Sequence, residues 1–144
     1  MEDPDVQIQW AKIKTILILA AILVVLILIA LHGPRLWKTH SAEQLFRSYN
    51  QALVNKDYAA AYDLLATETR AAGSLEGFIQ VQQSLIDKHG EMHGFEEKSI
   101  DTHLQDSTMI AIHASLICEK GQVPYVFLLR KKYLFWVVYG AIEE

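Results

Sequence analysis

Cysteine is almost absent from this sequence, and its scarcity excludes several kinds of chemistry. Cys118 is the single cysteine, so an intramolecular disulfide and a cysteine-based metal site are both excluded. It lies in an apolar run, 114–118, where a cysteine packs as a small hydrophobic residue. His89 and His93 have the i, i+4 spacing of metal ligands, but Gly90 ends the helix that would align them. We therefore expect no metal and no cofactor.

An excess of positive charge is also lacking. From Ser41 onward the sequence contains 14 acidic and 9 basic residues, a net charge of −5. Proteins that bind nucleic acid usually present the opposite sign, so nucleic acid is not an expected partner. The one basic cluster, Arg130-Lys131-Lys132, is interpreted as a solvated turn.

Charge, glycine and proline are all missing from 15–31, an uninterrupted apolar stretch. As a helix it would cover about 26 Å, close to the thickness of the hydrocarbon core of a bilayer. In lipid the backbone must satisfy its own hydrogen bonds, which a helix achieves. We therefore predict a tail over 1–12, a single transmembrane helix over 13–32 and a linker over 33–40, with Gly33-Pro34 ending the helix.

Both flanks of the predicted span carry the aromatic and cationic side chains that are typical of a membrane–water interface. They are Trp10, Lys12 and Lys14 before it, and Arg35, Trp37 and Lys38 after it. Because two cations lie close to each end, the positive-inside rule does not choose an orientation. A cleavable signal peptide is the competing interpretation, but the apolar run exceeds the usual length and Ala30-Leu31-His32 fits a cleavage site poorly.

After the linker the apolar residues follow a helical pattern. Ser41, Asp57 and Ser74 each have the form of an N-cap before apolar residues at helical spacing, which predicts three helices. Residues 67–73 are interpreted as a connection. Gly90 ends the third helix because glycine accepts a left-handed backbone.

Beyond Gly90 the apolar period changes from helical to alternating. Strands are predicted over 92–104, 108–118, 123–130 and 134–142, with turns at 119–122 and 131–133. The third strand is apolar on both faces, so we expect it to be central or covered twice. Three helices followed by an antiparallel meander predict an α+β domain over 41–144.

Two stretches carry a family resemblance. They are Asp57-Tyr58-Ala59-Ala60-Ala61-Tyr62-Asp63-Leu64-Leu65 and Leu128-Leu129-Arg130-Lys131 with Trp136-Val137-Val138. The domain, from 41 to about 142, resembles the nuclear transport factor two-like superfamily, the cystatin-like cone of SnoaL- and ketosteroid-isomerase-like proteins. The resemblance implies a curved antiparallel sheet wrapped round a long helix, with an apolar pocket inside. In that family the last hairpin usually turns at Gly or Asp, and this sequence has neither at 131–134.

Enzymes that resemble this fold, such as ketosteroid isomerases and scytalone dehydratases, use a carboxylate or histidine base and tyrosine donors in a dry pocket. The candidate pocket residues here are Tyr62, Phe78, Asp101, His103, His113, Phe127 and Trp136. None matches a catalytic motif of the family, so no catalytic residue is assigned. Each also has a structural explanation, as a core residue, a rim residue or a solvated residue.

Two functions from different classes follow. The first is a membrane-anchored, non-catalytic binding or scaffold module, an accessory subunit of a membrane or cell-envelope complex with a protein partner or second copy on its sheet. Inner-membrane scaffold proteins of type IV secretion systems are similar in plan, which implies a bacterial-type cytoplasmic membrane with the N terminus inside and the domain outside. The alternative is a pocket protein, either a carrier or an isomerase- or dehydratase-like enzyme, for a small apolar ligand near the membrane.

Overall fold

The computed structural model describes residue 18, residues 20–27 and residues 39–144. The chain divides into two compact units, Met1–Lys38 and Thr39–Glu144. In the first unit, residues 20–27 are helical and their side chains are exposed. Within the described residues, no helix is both long and apolar enough to cross a membrane.

Most of the first unit lies outside the described residues. This applies to the greater part of the predicted span and to all six side chains predicted at the membrane interface, Trp10, Lys12, Lys14, Arg35, Trp37 and Lys38. Those assignments therefore stay predictions from the sequence.

Four helices precede the sheet in the second unit. They are α1 over 39–54, α2 over Tyr58–Asp63, α3 over Thr67–Ala72 and α4 over Leu75–His89. Two predicted caps are confirmed: Asp57 Oδ1 accepts a hydrogen bond from Ala60 N at 3.1 Å, and Ser74 Oγ accepts one from Gly77 N at 3.1 Å. Each cap satisfies a first-turn N–H that has no partner within its own helix.

The structure differs from two of the helix predictions. Residues 39 and 40 are already helical, so Ser41 lies within α1 and is not its N-cap. The segment 67–73, predicted as a connection, contains α3. That helix has six residues and buries none of them, so it lacks the apolar stripe by which a helix is recognised in a sequence. The predicted count of three helices is therefore one too few.

The strands form one antiparallel sheet in the order β1-β2-β3-β4. They are β1 over Met92–Asp101, β2 over Met109–Cys118, β3 over Gly121–Lys132 and β4 over Phe135–Glu143. The α+β class predicted from the sequence is confirmed. The register shifts twice along β1, once beside Gly94 and once between Glu97 and Ser99, and such irregularities bend a strand. At the far edge of the sheet, Leu65 forms a parallel bridge to Val138 of β4.

The core lies between α1 and one face of the sheet, called the inner face below. Buried residues alternate along the two central strands, as Ile110, Ile112, Ala114 and Leu116 on β2 and Val123, Tyr125, Phe127 and Leu129 on β3. The ring of Phe46 on α1 contacts Phe127 edge-on, with 5.1 Å between centroids, and Phe95 on β1 at 5.5 Å. Edge-to-face rings of this kind stabilise by more than the area they bury.

α1 crosses the inner face in a defined direction. Leu53, near the end of the helix, lines the same cavity as Val123 at the beginning of β3. Phe46, two turns earlier, contacts Phe127 further along that strand. The end of α1 therefore lies beside the beginning of β3, at the opposite end of that strand from the β3–β4 hairpin.

Candidate functional site

A small apolar cavity lies between α1, α4 and the sheet. Its walls include Leu53, Leu85, Met92, Leu116 and Cys118. The cavity measures about 50 Å³, whereas a cavity that holds benzene measures about 150 Å³ and most ligand pockets about 300–1,000 Å³. A ligand of ordinary size does not fit here. Burial raises the pKa of the Cys118 thiol, so the thiol is neutral and packs as an apolar group.

A larger and more open cleft lies between α4 and strands β3 and β4. Phe78, Val81 and Leu85 form its helix wall, and Tyr125 and Val138 lie on its sheet wall. The cleft has about 370 Å³ of space, which falls in the range of small-ligand sites. It is therefore the better of these two spaces for an apolar ligand.

The four aromatic residues predicted for a pocket do not line one common space. Phe127 and Trp136 are core residues, 2% and 7% exposed. The Tyr62 ring packs against Phe78 with 5.8 Å between centroids, and its hydroxyl donates to the carbonyl oxygen of Gly73 at 2.8 Å. Of the four, Phe78 alone lines the cleft, and Tyr62 fastens the connection between α3 and α4.

The three polar candidates lie away from the cavity and the cleft. Asp101 ends β1 and His113 lies in β2, and the pairing places both on the opposite face of the sheet from the core. Asp101 Oδ1 accepts a hydrogen bond from the backbone N–H of His103 at 2.8 Å, and the His103 side chain is 88% exposed. His113 Nδ1 lies 3.2 Å from Glu144 Oε1. Strand alternation thus directs Asp101 and His113 away from the interior that a catalytic base would need.

Glu97 is a partly buried carboxylate that the sequence analysis did not single out. It pairs with Ala114 of β2, an inner-face position. Burial and, to a smaller extent, the nearby Glu43 raise the pKa of the Glu97 carboxyl, while Arg47 acts in the opposite direction. Its Oε2 has no hydrogen-bond partner among the described residues. Glu97 lines neither the cavity nor the cleft, so its shifted pKa reflects packing beside α1.

The face of the sheet opposite the core, called the outer face below, is partly open to solvent. Its apolar residues include Ile117, Val126, Leu128, Val137 and Ile142. Val126 and Leu128 at its centre are half-buried, whereas Ile117 and Ile142 are 38% and 59% exposed. The prediction that β3 is apolar on both faces is confirmed, since one half of the strand lies in the core and the other on the outer face.

Charged residues divide across the outer face. β1 contributes Glu96 and Asp101, whereas β3 contributes Arg130 and Lys132. The Arg130 guanidinium lies 4.1 Å above the ring centroid of Tyr139, which is the distance of a cation–π contact. Because Glu96 already pairs with Lys98, the acidic part of β1 on this face is Asp101, and the opposite part of the outer face is basic.

The β3–β4 hairpin ends in a feature that the sequence analysis missed, called the hairpin tip below and defined as 131–135. Lys132 pairs with Phe135, so Tyr133 and Leu134 form a two-residue loop. Tyr133, Leu134 and Phe135 are 88%, 84% and 75% exposed, the highest fractions for large apolar side chains in the described part of the chain. The turn was predicted at 131–133, because two lysines resemble a turn and Leu134 resembles the beginning of a strand.

Tyr133 adopts a backbone conformation that is unfavourable for its residue type. Its φ is 56°, in the left-handed region where short hairpin loops use Gly, Asn or Asp. A residue with a Cβ pays about 1–2 kcal/mol there, and this side chain is too exposed to recover that cost by packing. The fold therefore does not explain Tyr133, and the missing Gly or Asp at 131–134 is the sequence signal that points to it.

The two histidines that have ligand spacing lie near different carboxylates. His89 Nε2 lies 3.3 Å from Glu143 Oε1, and His93 Nε2 lies 4.0 Å from Glu119 Oε1. Among the described residues there is no group of three or more His, Cys, Asp or Glu side chains that could hold a metal ion.

Neither protein-family models nor curated proteins give a match to this sequence.

Proposed function

We propose that this chain is a membrane-anchored, non-catalytic binding module, an accessory or scaffold subunit of a membrane or cell-envelope complex. The observation that carries this proposal is the outer face, whose apolar centre at Val126 and Leu128 extends to the exposed Ile142. Contiguous apolar surface that is open to water favours an interaction site. The apolar stretch 15–31, helical over 20–27 with exposed side chains, supports the anchor.

The partner that we propose for the outer face is a second copy of this chain. A twofold axis parallel to the strands would bring β1 of each copy opposite β3 and β4 of the other, in an isologous contact. Asp101 of one copy would then lie within two strand positions of the level of Arg130 of the other copy, while the apolar centres meet. Such charge complementarity favours this register over others.

The fold that we propose for Thr39–Glu144 is a nuclear transport factor two-like cone. The Asp57–Leu65 stretch with its N-cap, the bend in β1 and the packing of α1 on the inner face all support it. The similarity in plan to inner-membrane scaffold proteins supports a bacterial-type cytoplasmic membrane with the N terminus inside. A reporter that is active only in the cytoplasm, fused after Glu144, should therefore be inactive.

The test of self-association is the mass of the full chain, purified in detergent and measured by light scattering. Ile142→Asp changes the outer face, and Val81→Asp changes α4; the two side chains are 59% and 57% exposed, which makes them a matched pair. We expect a dimer for the wild type and for Val81→Asp, and a monomer for Ile142→Asp. A wild-type monomer that retains no partner protein would contradict the proposal.

A second candidate function, a carrier or enzyme for a small apolar ligand, is favoured by the cleft of about 370 Å³ between α4 and the sheet. The same pair of variants tests it with an apolar dye that fluoresces when it leaves water. Val81→Asp should weaken dye binding because Val81 lines the cleft, and Ile142→Asp should leave it unchanged. Dye binding that is insensitive to Val81→Asp would exclude the cleft as the ligand site.

A further inference from the structure

Charge is segregated between the β3–β4 hairpin and the remainder of its unit. The segment 121–142 contains Arg130, Lys131 and Lys132 but no Asp or Glu, although the sequence from Ser41 onward has 14 acidic residues. Both lysines are exposed, and within the described residues neither forms an ion pair. Lys132 Nζ donates to Thr67 Oγ1 at 3.3 Å. Up to Glu143 at the end of β4, the β3–β4 hairpin therefore carries only positive charges within an acidic domain.

The apolar residues of the hairpin tip lie directly beyond these lysines. Tyr133, Leu134 and Phe135 are at least 75% exposed, so they contribute little to the core. Aromatic rings next to cations are typical of segments that lie at a membrane–water interface, where the rings occupy the headgroup level and the cations bind anionic lipid. The composition of the hairpin tip therefore matches an anionic lipid surface in both charge and polarity.

The position of the hairpin tip in the fold agrees with this occupant. The end of α1 lies beside the beginning of β3, at the opposite end of that strand from the hairpin tip. In the sequence, 33–38 separate the predicted span from Thr39. At about 3.6 Å per extended residue, six residues reach about 22 Å at most, so an anchor would limit how far the domain can move from lipid.

We propose that the hairpin tip docks on an anionic bilayer surface. Tyr133, Leu134 and Phe135 enter the headgroup region, and Lys131 and Lys132 bind lipid phosphates. The inference rests on the proposed membrane anchor, to which it adds a second contact. Two contacts restrict the rotation of the domain, which would hold the outer face in a fixed orientation above the membrane.

Depth-dependent fluorescence quenching tests the proposal on the full chain. In a Cys118→Ala background, Leu134→Cys or Gln122→Cys is labelled with an environment-sensitive dye and reconstituted into phosphatidylcholine vesicles that contain about 30% phosphatidylglycerol. Gln122 is the control because it is exposed and lies in the hairpin at the opposite end of the sheet. Quenchers attached to the lipid should quench the label at Leu134 and leave the label at Gln122 bright.

A charge-reversal variant tests the role of the lysines. Each lysine is expected to contribute about fivefold to the affinity for an anionic surface. Lys131→Glu combined with Lys132→Glu should therefore shift the insertion equilibrium at least about 25-fold toward the free state. Both side chains are exposed, so the variant should keep the wild-type near-ultraviolet circular dichroism. Quenching that the double variant leaves unchanged would overturn the assigned role of the lysines.

An alkaline carbonate wash separates this inference from the proposed anchor. A chain that stays in the vesicles after the wash, without quenching at Leu134, overturns the hairpin contact and leaves the anchor standing. Quenching at Leu134 in a chain that the wash removes supports the hairpin contact and overturns the anchor. Equal quenching at Leu134 and Gln122 overturns the hairpin contact as a specific one, and a chain that never associates with vesicles overturns both.

Discussion

The two hairpins on either side of β3 lie at opposite ends of the sheet and differ in turn residues, contacts and exposure. The β2–β3 turn places Gly121 at a φ of 131°, a conformation that suits glycine. Lys120 Nζ in that turn donates to the last carbonyl oxygens of α4, those of Asp87 at 2.9 Å and Lys88 at 3.2 Å. The β3–β4 turn instead places Tyr133 at a φ of 56°. The needs of the fold explain why Gly121 occupies the first turn, but they do not explain why Tyr133 occupies the second.

Ion pairs follow the same division. Near the β2–β3 hairpin, Lys56 pairs with Glu91 and Lys88 pairs with Glu143 at 2.8 Å. Around the hairpin tip, by contrast, Lys131 and Lys132 form no ion pair with any described residue. One end of the sheet is therefore fastened to α4, while the other presents apolar side chains and two lysines that lack a carboxylate partner among the described residues. This division implies that substitutions at the first end change stability, whereas those at the hairpin tip change binding.

The largest expected contrast is between two phenylalanines on neighbouring strands. Phe127→Ala should lower the free energy of unfolding by about 3–5 kcal/mol, because it empties a buried site in which the ring contacts Phe46 and Tyr125. Phe135→Ala should change it by less than about 0.5 kcal/mol, since that ring is 75% exposed. Denaturant unfolding followed by near-ultraviolet circular dichroism measures both. Equal losses for the two variants would mean that the hairpin tip belongs to the folded core.

Substitution of a glycine at the end of the sheet near the β2–β3 hairpin, called the fastened end below, should give the next largest loss of stability. Gly90 has a φ of 80°, and a Cβ at that position would lie 2.6 Å from Glu119 Cβ. Gly90→Ala combines a left-handed backbone with a steric clash, so it should cost about 1–3 kcal/mol.

The control for Gly90→Ala is Gly73→Ala. Gly73 has an extended backbone and no neighbour within 4 Å of an added Cβ, so its substitution should stay within about 0.5 kcal/mol. The melting temperatures of the two variants report the difference, at about 4–8 °C per kcal/mol for a domain of this size. Similar melting temperatures would indicate that the contact between Gly90 and Glu119 is not maintained in solution.

A substitution in the hairpin tip should raise the stability of the domain instead of lowering it. Tyr133→Gly relieves the left-handed strain of about 1–2 kcal/mol but gives the unfolded chain more freedom. The net result should be a gain of about 0.5–1 kcal/mol in stability. Gly121→Ala at the other hairpin is the mirror control and should lose stability. A loss of stability in Tyr133→Gly would show that the tyrosine serves the fold, which would remove the main reason for assigning it to lipid.

Local signals predicted much of the fold. Asp57 and Ser74 were recognised as caps, and Gly90 as a helix end, because each acts through its own backbone and the next turn. The strands followed from alternation, as at Ile110 and Ile112, since one face of the sheet is buried. α3 escaped prediction because it buries no residue and therefore leaves no apolar period.

The candidate site was harder to predict because it depends on register. Asp101 and His113 were suitable in residue type, but the pairing of β1 with β2 decides which face they occupy. The register shift between Glu97 and Ser99 alters the alternation of side chains between the two faces of β1. No residue in the sequence indicates this shift. Tyr133 is the reverse case. The absence of glycine from its turn is visible in the sequence, but its exposure is evident only when the strands are paired.

The smallest expected effect concerns pH and the ion pair at the fastened end. Hydrogen bonding from Lys88, with a further contribution from His89, lowers the pKa of Glu143 below its ordinary value of 4.5. A carboxyl with a lowered pKa in the folded state stabilises above the unfolded pKa and loses that contribution as the pH falls through the folded pKa. Glu143→Gln should therefore be slightly less stable at neutral pH, and its deficit should disappear in acid.

Glu97→Gln is the control of opposite sign, because burial raises the pKa of Glu97. This variant should be more stable than the wild type at neutral pH. The gain should vanish as the pH falls below the unfolded pKa. Unfolding midpoints of the three proteins across this range decide between the signs, and a Glu143→Gln deficit that persists in acid would show that Glu143 stabilises the fastened end through packing and not through charge.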